Sequence, residues 1–384
     1  MPAGQVYVAT AVVGVDEPQP LTRLAERLGT GPFALVLLFI SPEADLDALA
    51  KGSAAAFPEA QVAGCTTSGE VTPAGYQSGS IVAVGFPTRH FSARAVILTG
   101  LSRLSAAEIA MATLSARQGL AGDAAHLPTE FAILLVDGLS IREDELAAAL
   151  SAGAGAMPLV GGSAGDGTRF EKTFVLCDGS LHHDAAVLCM LRGDCGLRSF
   201  SFDHLEPTDI RMVVTCADPA TRTVRRLNAE PAAREYSRLV GCNEGELDRR
   251  VFAANPLVVR MGNRHHVRAI QRVTPEGGIV FFSAIDEGVV LSLARPRNLV
   301  GHLDAALSDL SRDATPLAIL AFDCILRRIE AESRQQTGLV AQLLRRHSVV
   351  GFNTYGEQVG PLHLNQTISG FAFFPPGASG AGLR

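Results

Sequence analysis

Three stretches of the chain set small hydroxyl or amide residues between glycines and finish on an acid: AGCTTSGE at 63–70, VGGSAGD at 160–166 and VGFNTYGE at 350–357. Glycines can take positive φ, and the residues between them can aim backbone N–H groups at one point, a nest for an anion or polar ligand. The acid after the second glycine, Glu70 or Glu357, stands where a P-loop carries lysine and would repel a phosphate; no dinucleotide fingerprint occurs either. A tight turn accounts for any one stretch taken alone. The third continues through His363 and Asn365, so that Glu357, His363 and Asn365 offer an acceptor, a switchable imidazole and a carboxamide. Those groups suffice to hold the ammonium and carboxylate of an amino acid or a similar small metabolite.

Other candidates are weaker. Cys65, in a glycine-flanked turn, could be a thiol nucleophile with His363 as distant base, but a small buried cysteine is the commoner case. Glu143, Asp144 and Glu145 open a helix, where capping and the macrodipole explain them. With no HExxH, GxSxG or kinase set, the chain is expected to bind rather than to catalyse. Among the histidines, the pairs at 182–183 and 265–266 read as exposed loop ends, and His302 points off the apolar stripe of its helix. His204 differs: in FSFDHLEPTD it ends an apolar strand, ahead of a proline and near the expected domain junction. Junctions commonly hold ligand pockets, and a neutral imidazole there could ligate a metal or haem iron.

The bulk properties narrow the partners. The 384 residues are 47% hydrophobic and 19% charged, enough for a large core and more than one domain. The net charge of −6 arises from interspersed acids and bases with no basic block, which recommends neither nucleic acid nor an anionic membrane. Seven cysteines without a C-x-x-C pair look like reduced thiols, and no apolar run approaches a spanning length, so a cytoplasmic location is expected.

The elements that must position these residues follow from periodicity. Stretches 6–13, 33–40, 61–66, 81–86 and 131–136 read as strands, alternating with helices such as the one opening on the Ser105/Glu108 capping box. Beyond Pro158, strands at 173–177, 185–191, 198–202, 211–216 and 223–227 follow one another, with Asp178-Gly179 a hairpin turn. A second set covers 256–261, 267–273, 278–284 and 289–294, then helices at 298–309 and 324–346 and strands at 317–322 and 348–355. The expected fold is mixed α/β: two domains, 1–216 and 217–374, with largely antiparallel mixed sheets flanked by helices, and a frayed tail at 375–384. The three glycine corners suggest related strand ends, in two related halves.

Taken in order, GCTTSGE, LVGGSAGDG, LNAEPAAREYSRLVG, AIDEGVVLSLA, FDCILRRIE and GFNTYGE…HLNQT resemble the FIST family, with its N- and C-terminal FIST domains, from about residue 35 to 373. The resemblance implies sensory input. The stretch from Asp203 to Tyr236 is similar to a stand-alone bacterial branch that binds haem and responds to nitric oxide, so a chain without a fused output domain is expected. On that resemblance the cofactor is b-type haem, the ligand nitric oxide, and the partner a histidine kinase or cyclic di-GMP enzyme; a homo-oligomer is compatible with it. His204 is the expected iron ligand on its motif context, with Arg211, Arg264 or Arg268 meeting the propionates. Nitric oxide weakens the trans Fe–His bond, and release of His204 would alter the domain junction.

Overall fold

The computed structural model describes residues 7–29, 31–262 and 264–377. Its organising feature is one unit used three times. The first module runs β1 (Ala9–Gly14), α1 (Pro20–Leu28), β2 (Phe33–Ile40), α2 (Leu46–Ala56), β3 (Gln61–Thr66), a hairpin β4 (Glu70–Thr72) and β5 (Gly75–Gln77), and β6 (Ser80–Pro87). The second repeats the order as β7 (Phe91–Thr99), α3 (Ala106–Asp123), β8 (Thr129–Val136), α4 (Glu143–Ala154), β9 (Leu159–Ser163), hairpin β10 (Val175–Cys177) and β11 (Ser180–His182), and β12 (Ala185–Gly193).

The third module opens on β13 (Gly196–Phe202) and is interrupted by an inserted domain before it resumes. The insertion holds β14 (Leu205–Asp218), β15 (Thr223–Leu227), β16 (Glu230–Pro231), α5 (Ala232–Val240), α6 (Arg249–Ala254), β17 (Leu257–Met261), β18 (Arg264–Arg268), β19 (Ile270–Val273), β20 (Ile279–Phe281) and β21 (Val290–Pro296). The module then completes itself with α7 (Leu299–Leu310), β22 (Ala318–Cys324), α8 (Ile325–Ser333), α9 (Thr337–Arg346), β23 (Val349–Thr354), hairpin β24 (Glu357–Val359) and β25 (Leu362–Leu364), and β26 (Ile368–Phe374).

Within each module the sheet order is the same, β1-β6-β2-β3, β7-β12-β8-β9 and β13-β26-β22-β23. The hairpin never stays at home. β4–β5 joins the third sheet beside β23, β10–β11 the first beside β3, and β24–β25 the second beside β9. The central strands FALVLLFI, TEFAILLV and AILAFDC are apolar nearly throughout because both faces are covered. One face turns inward to a shared core containing Leu37, Phe39, Phe131, Ile133, Leu320 and Phe322. The other packs on its module's helices, as Leu134 does with Ile109 and Leu150.

The repeated glycines are explained by strand contact more than by φ. A Cβ on Gly64, Gly161 or Gly351 would lie 2.3, 2.1 or 1.7 Å from the carbonyl oxygen of Leu38, Leu134 or Ala321 on the adjacent parallel strand. Of these three only Gly351 has positive φ.

Several expectations need correction. There are three related units, not two halves. The boundary expected near Ala217 falls inside β14, and the second part of the chain is interleaved with the first through three shared sheets. The single helix expected over 324–346 is two, broken where Ser-Arg-Gln-Gln-Thr offers no apolar residue to the core and Gln335 takes φ +57. The strand expected over 267–273 is also two, β18 and β19, paired into different parts of the inserted sheet. The Ser105/Glu108 capping box and the Asp178-Gly179 hairpin are present as expected. Most of the tail, 378–384, lies outside the described residues.

Candidate functional site

The three corners meet. Ser68 N donates to Asn353 O at 2.9 Å, Gly165 N to Thr66 O at 3.0 Å, and Ser163 N to Gly356 O at 2.8 Å, so each corner is hydrogen-bonded to the other two. Glu70 and Glu357 sit in matching cages. One oxygen accepts from the threonine three residues earlier, Thr67 or Thr354. The other accepts from the amide and hydroxyl of the residue ten positions later, Ser80 or Thr367, at 3.2 and 2.8 Å. Burial outweighs these bonds, raising the Glu70 carboxyl and pushing Glu357 up to about 8. Both oxygens of Glu357 are thereby used inside its own turn.

Asp166 closes the second corner differently. Its carboxylate accepts from the Phe170, Glu171 and Lys172 amides at 2.8, 2.8 and 2.9 Å and from the Tyr355 hydroxyl of the third corner. Burial opposes its charge, but these donors prevail and hold the carboxyl below the usual range. A loop at 167–172 is thus tied to the corner that launches it.

His363 and Asn365 come together at the seam between the third corner and the inserted domain. Asn365 accepts from Ser283 Oγ at 3.0 Å. His363 Nδ1 contacts Gln358 Nε2 at 3.0 Å, while His363 Nε2 and Gln358 Oε1 are buried without a partner. Burial lowers the His363 pKa; Asp144 and Glu143 act against this, and Arg222 and Arg268 reinforce it. Arg268 therefore belongs electrostatically to this seam. Arg222 is buried there, its Nη2 2.8 Å from Glu143 and 3.0 Å from Asp144, which clamps α4 to the inserted domain.

His204 occupies the crossing into the insertion, and its surroundings are closed. Its side chain is 0% exposed, with Nε2 2.8 Å from Glu330 and Nδ1 2.9 Å from Arg327 Nη1. Arginine has no acceptor, so Nδ1 must accept and Nε2–H must donate to the carboxylate. Burial lowers this imidazole's pKa, the Glu330 bond opposes the shift and the Arg327 charge adds to it. Arg327 continues to Asp323 at 2.7 Å and Asp323 to Tyr76, on the exported hairpin β4–β5. Haem iron does not fit here: both ring nitrogens are engaged and no surface is open.

Nearby lies an open cleft. It has a volume of about 720 Å³ and lies between the end of α4, β13, the edge strand β18 and the hairpin β24–β25. Met157, Leu159, Leu362 and Leu364 give it apolar walls, and Arg264, His265 and His266 come from β18. His265 Nε2 lies 3.2 Å from Asp203 Oδ1. These histidines are strand residues on a cleft wall, where loop ends were expected. Burial, then the charges of Arg268, His265 and Arg264, lower the pKa of His266 and favour its neutral form. Arg211 is exposed on β14 and lines neither this cleft nor the His204 network.

The family model of the FIST N domain matches residues 34–230, and that of the FIST C domain matches 232–360. The chain belongs to the FIST family. FIST domains are associated with sensing in signal transduction, and no curated protein matches the chain. The two FIST matches meet at Pro231 of β16, just before α5 and inside the insertion, so each contributes strands to the same three-module body. Among the described residues no group of three or more His, Cys, Asp or Glu could hold a metal ion, and no helix is long and apolar enough to cross a membrane. Cys65 is buried and desolvation raises its thiol pKa well above the usual value, which withholds the nucleophilic thiolate. Sequence reasoning misses the roles of Arg222, Tyr355 and Arg327, and places Asp166 only as the acid of its corner. The acids at 143–145 are the available signal, but helix capping explains them away.

Proposed function

We propose that the chain is a cytoplasmic sensor that takes up haem in the 720 Å³ cleft at the junction of body and insertion, reads nitric oxide, and passes the signal to a histidine kinase or cyclic di-GMP enzyme. The observation that carries this reading is His265, turned to the cleft with one nitrogen beside the Asp203 carboxylate. Such a carboxylate fixes the tautomer of a ligating histidine and leaves the other nitrogen for a metal. The volume lies within the ~300–1,000 Å³ typical of ligand pockets.

His265 or His266 would hold the iron, with the neutral form of His266 favoured by its surroundings. Arg264, exposed on the same strand, would meet a propionate by charge-assisted hydrogen bonds. Bound there, haem supplies the iron that captures nitric oxide. The apolar side chains of Met157 and Leu159, which follow α4, and of Leu362 and Leu364 on the hairpin would keep water from that face. Because β18 belongs to the insertion and β24–β25 to the body, an occupant biases how the two pack, which is the differential contact that a population shift requires. In absorption spectra of the hemin-loaded protein, His265→Ala or His266→Ala should shift the Soret band and alter the nitrosyl spectrum, and His204→Ala should not. Unchanged spectra in both cleft variants, or no uptake of hemin, would sink this reading.

A second reading, an amino-acid sensor, is favoured by the partnerless His363 Nε2 and Gln358 Oε1 at the seam. There the binding groups are His363 and Gln358, since Glu357 is engaged in its own turn and Asn365 with Ser283 and Tyr355 O. Protein that stays colourless with hemin but gains thermal stability from one of the twenty amino acids, lost in Gln358→Leu, supports this alternative.

A further inference from the structure

A second cleft, beside the loop at 167–172, has a volume of about 930 Å³ and brings together Arg169, Arg249, Arg250 and Arg272. They come from separate places: Arg169 from the loop, Arg249 and Arg250 from α6, and Arg272 from β19. Its acids are already engaged, Asp248 capping α6 through the Arg250 and Val251 amides at 2.8 and 2.9 Å and Glu332 paired with Arg328 at 2.8 Å. Among the described residues none of the four arginines pairs with a carboxylate, although Arg249 donates to Thr168 O and lies 5.0 Å from the Phe170 ring centroid. Arg169, Arg250 and Arg272 are exposed to the cleft. In a chain of net charge −6, four arginines lining one concavity against two carboxylates that are already hydrogen-bonded elsewhere give a site of net positive potential.

We propose that this cleft binds a small molecule carrying two or more phosphate groups. Guanidinium forks match phosphate oxygens bidentately, and several forks from different elements suit a polyphosphate better than a single charge. The concave shape suits a small ligand. Arg249 already covers Phe170, so affinity comes from the phosphates and not from stacking a base on that ring. A ligand here joins the Asp166-tied loop to α6 and β19, bracing the insertion against the body. The inference is independent of what the first cleft binds.

Isothermal titration of the full chain with sodium pyrophosphate and with ATP, at 50 and 200 mM NaCl, tests it. Binding should weaken with salt, fall at least tenfold in Arg250→Ala/Arg272→Ala, and survive His265→Ala. Circular dichroism of the double variant checks folding, and both changes are on exposed side chains. Absence of binding by either phosphate at millimolar concentration overturns the proposal. So does an equal response to sulfate, or arginine-dependent binding of a polyglutamate peptide without binding of either phosphate.

Discussion

Glu357 illustrates how far residue-level reading reaches. Its place after a glycine is legible, but its role is not, because a sequence does not show that Thr354 and Thr367 turn inward on it. Its carboxyl is pushed up to about 8 in the folded protein against an ordinary 4.5. A raised folded pKa contributes stability that is complete below the unfolded value and lost as pH rises to the folded one. Between pH 6.5 and 8 the native protein should therefore lose roughly 2 kcal/mol relative to Glu357→Gln, read from urea midpoints, since the amide cannot ionise. Parallel pH profiles for the two proteins would refute the assignment. His204 shows the complementary limit. Its place at a strand end near a junction is legible, yet position says nothing of whether the ring nitrogens are free, and Glu330 and Arg327 lie more than a hundred residues away. His265 and His266 read as loop ends because an Asn-Arg dipeptide beside them looks like a turn; their strand edges the cleft.

At the scale of elements, chemistry is legible wherever it is local. The capping box at Ser105, the type of turn at Asp178-Gly179 and the apolar strands of the first two modules depend on residues within a few positions of one another. The break between α8 and α9 is hidden because apolar spacing resumes after it. The first glycine of each corner reads as a position of backbone freedom, whereas the neighbouring strand's carbonyl is what excludes a side chain. Gly64→Ala and Gly161→Ala should each destabilise the protein by roughly 1–3 kcal/mol through overpacking against backbone that cannot yield. Equilibrium urea unfolding measures this; Gly122→Ala, with nothing within 4 Å of its added Cβ, serves as the tolerant control.

The whole molecule is the least legible, since the exchange of hairpins joins strands far apart in the chain, Gly351 to Val71 among them. No periodicity encodes such a pairing. The expected division at 216/217 consequently cuts through shared sheets. A fragment comprising 1–216 would strand β4–β5 without β23, leave β9 without β24 and leave β13 without β26. It should show weak near-ultraviolet circular dichroism and rapid proteolysis, whereas excision of 205–296 with a short linker should retain the body's cooperative melt. A stable, compact 1–216 fragment would contradict the interlocked arrangement.

Because every module gives its hairpin to one neighbour and receives one from the other, the exchange runs in a closed circuit with no free end. Unfolding has nowhere to begin fraying; two hairpins must be withdrawn before any one sheet can open. Such a frame is expected to come apart slowly and all at once, outlasting in protease its equilibrium stability alone.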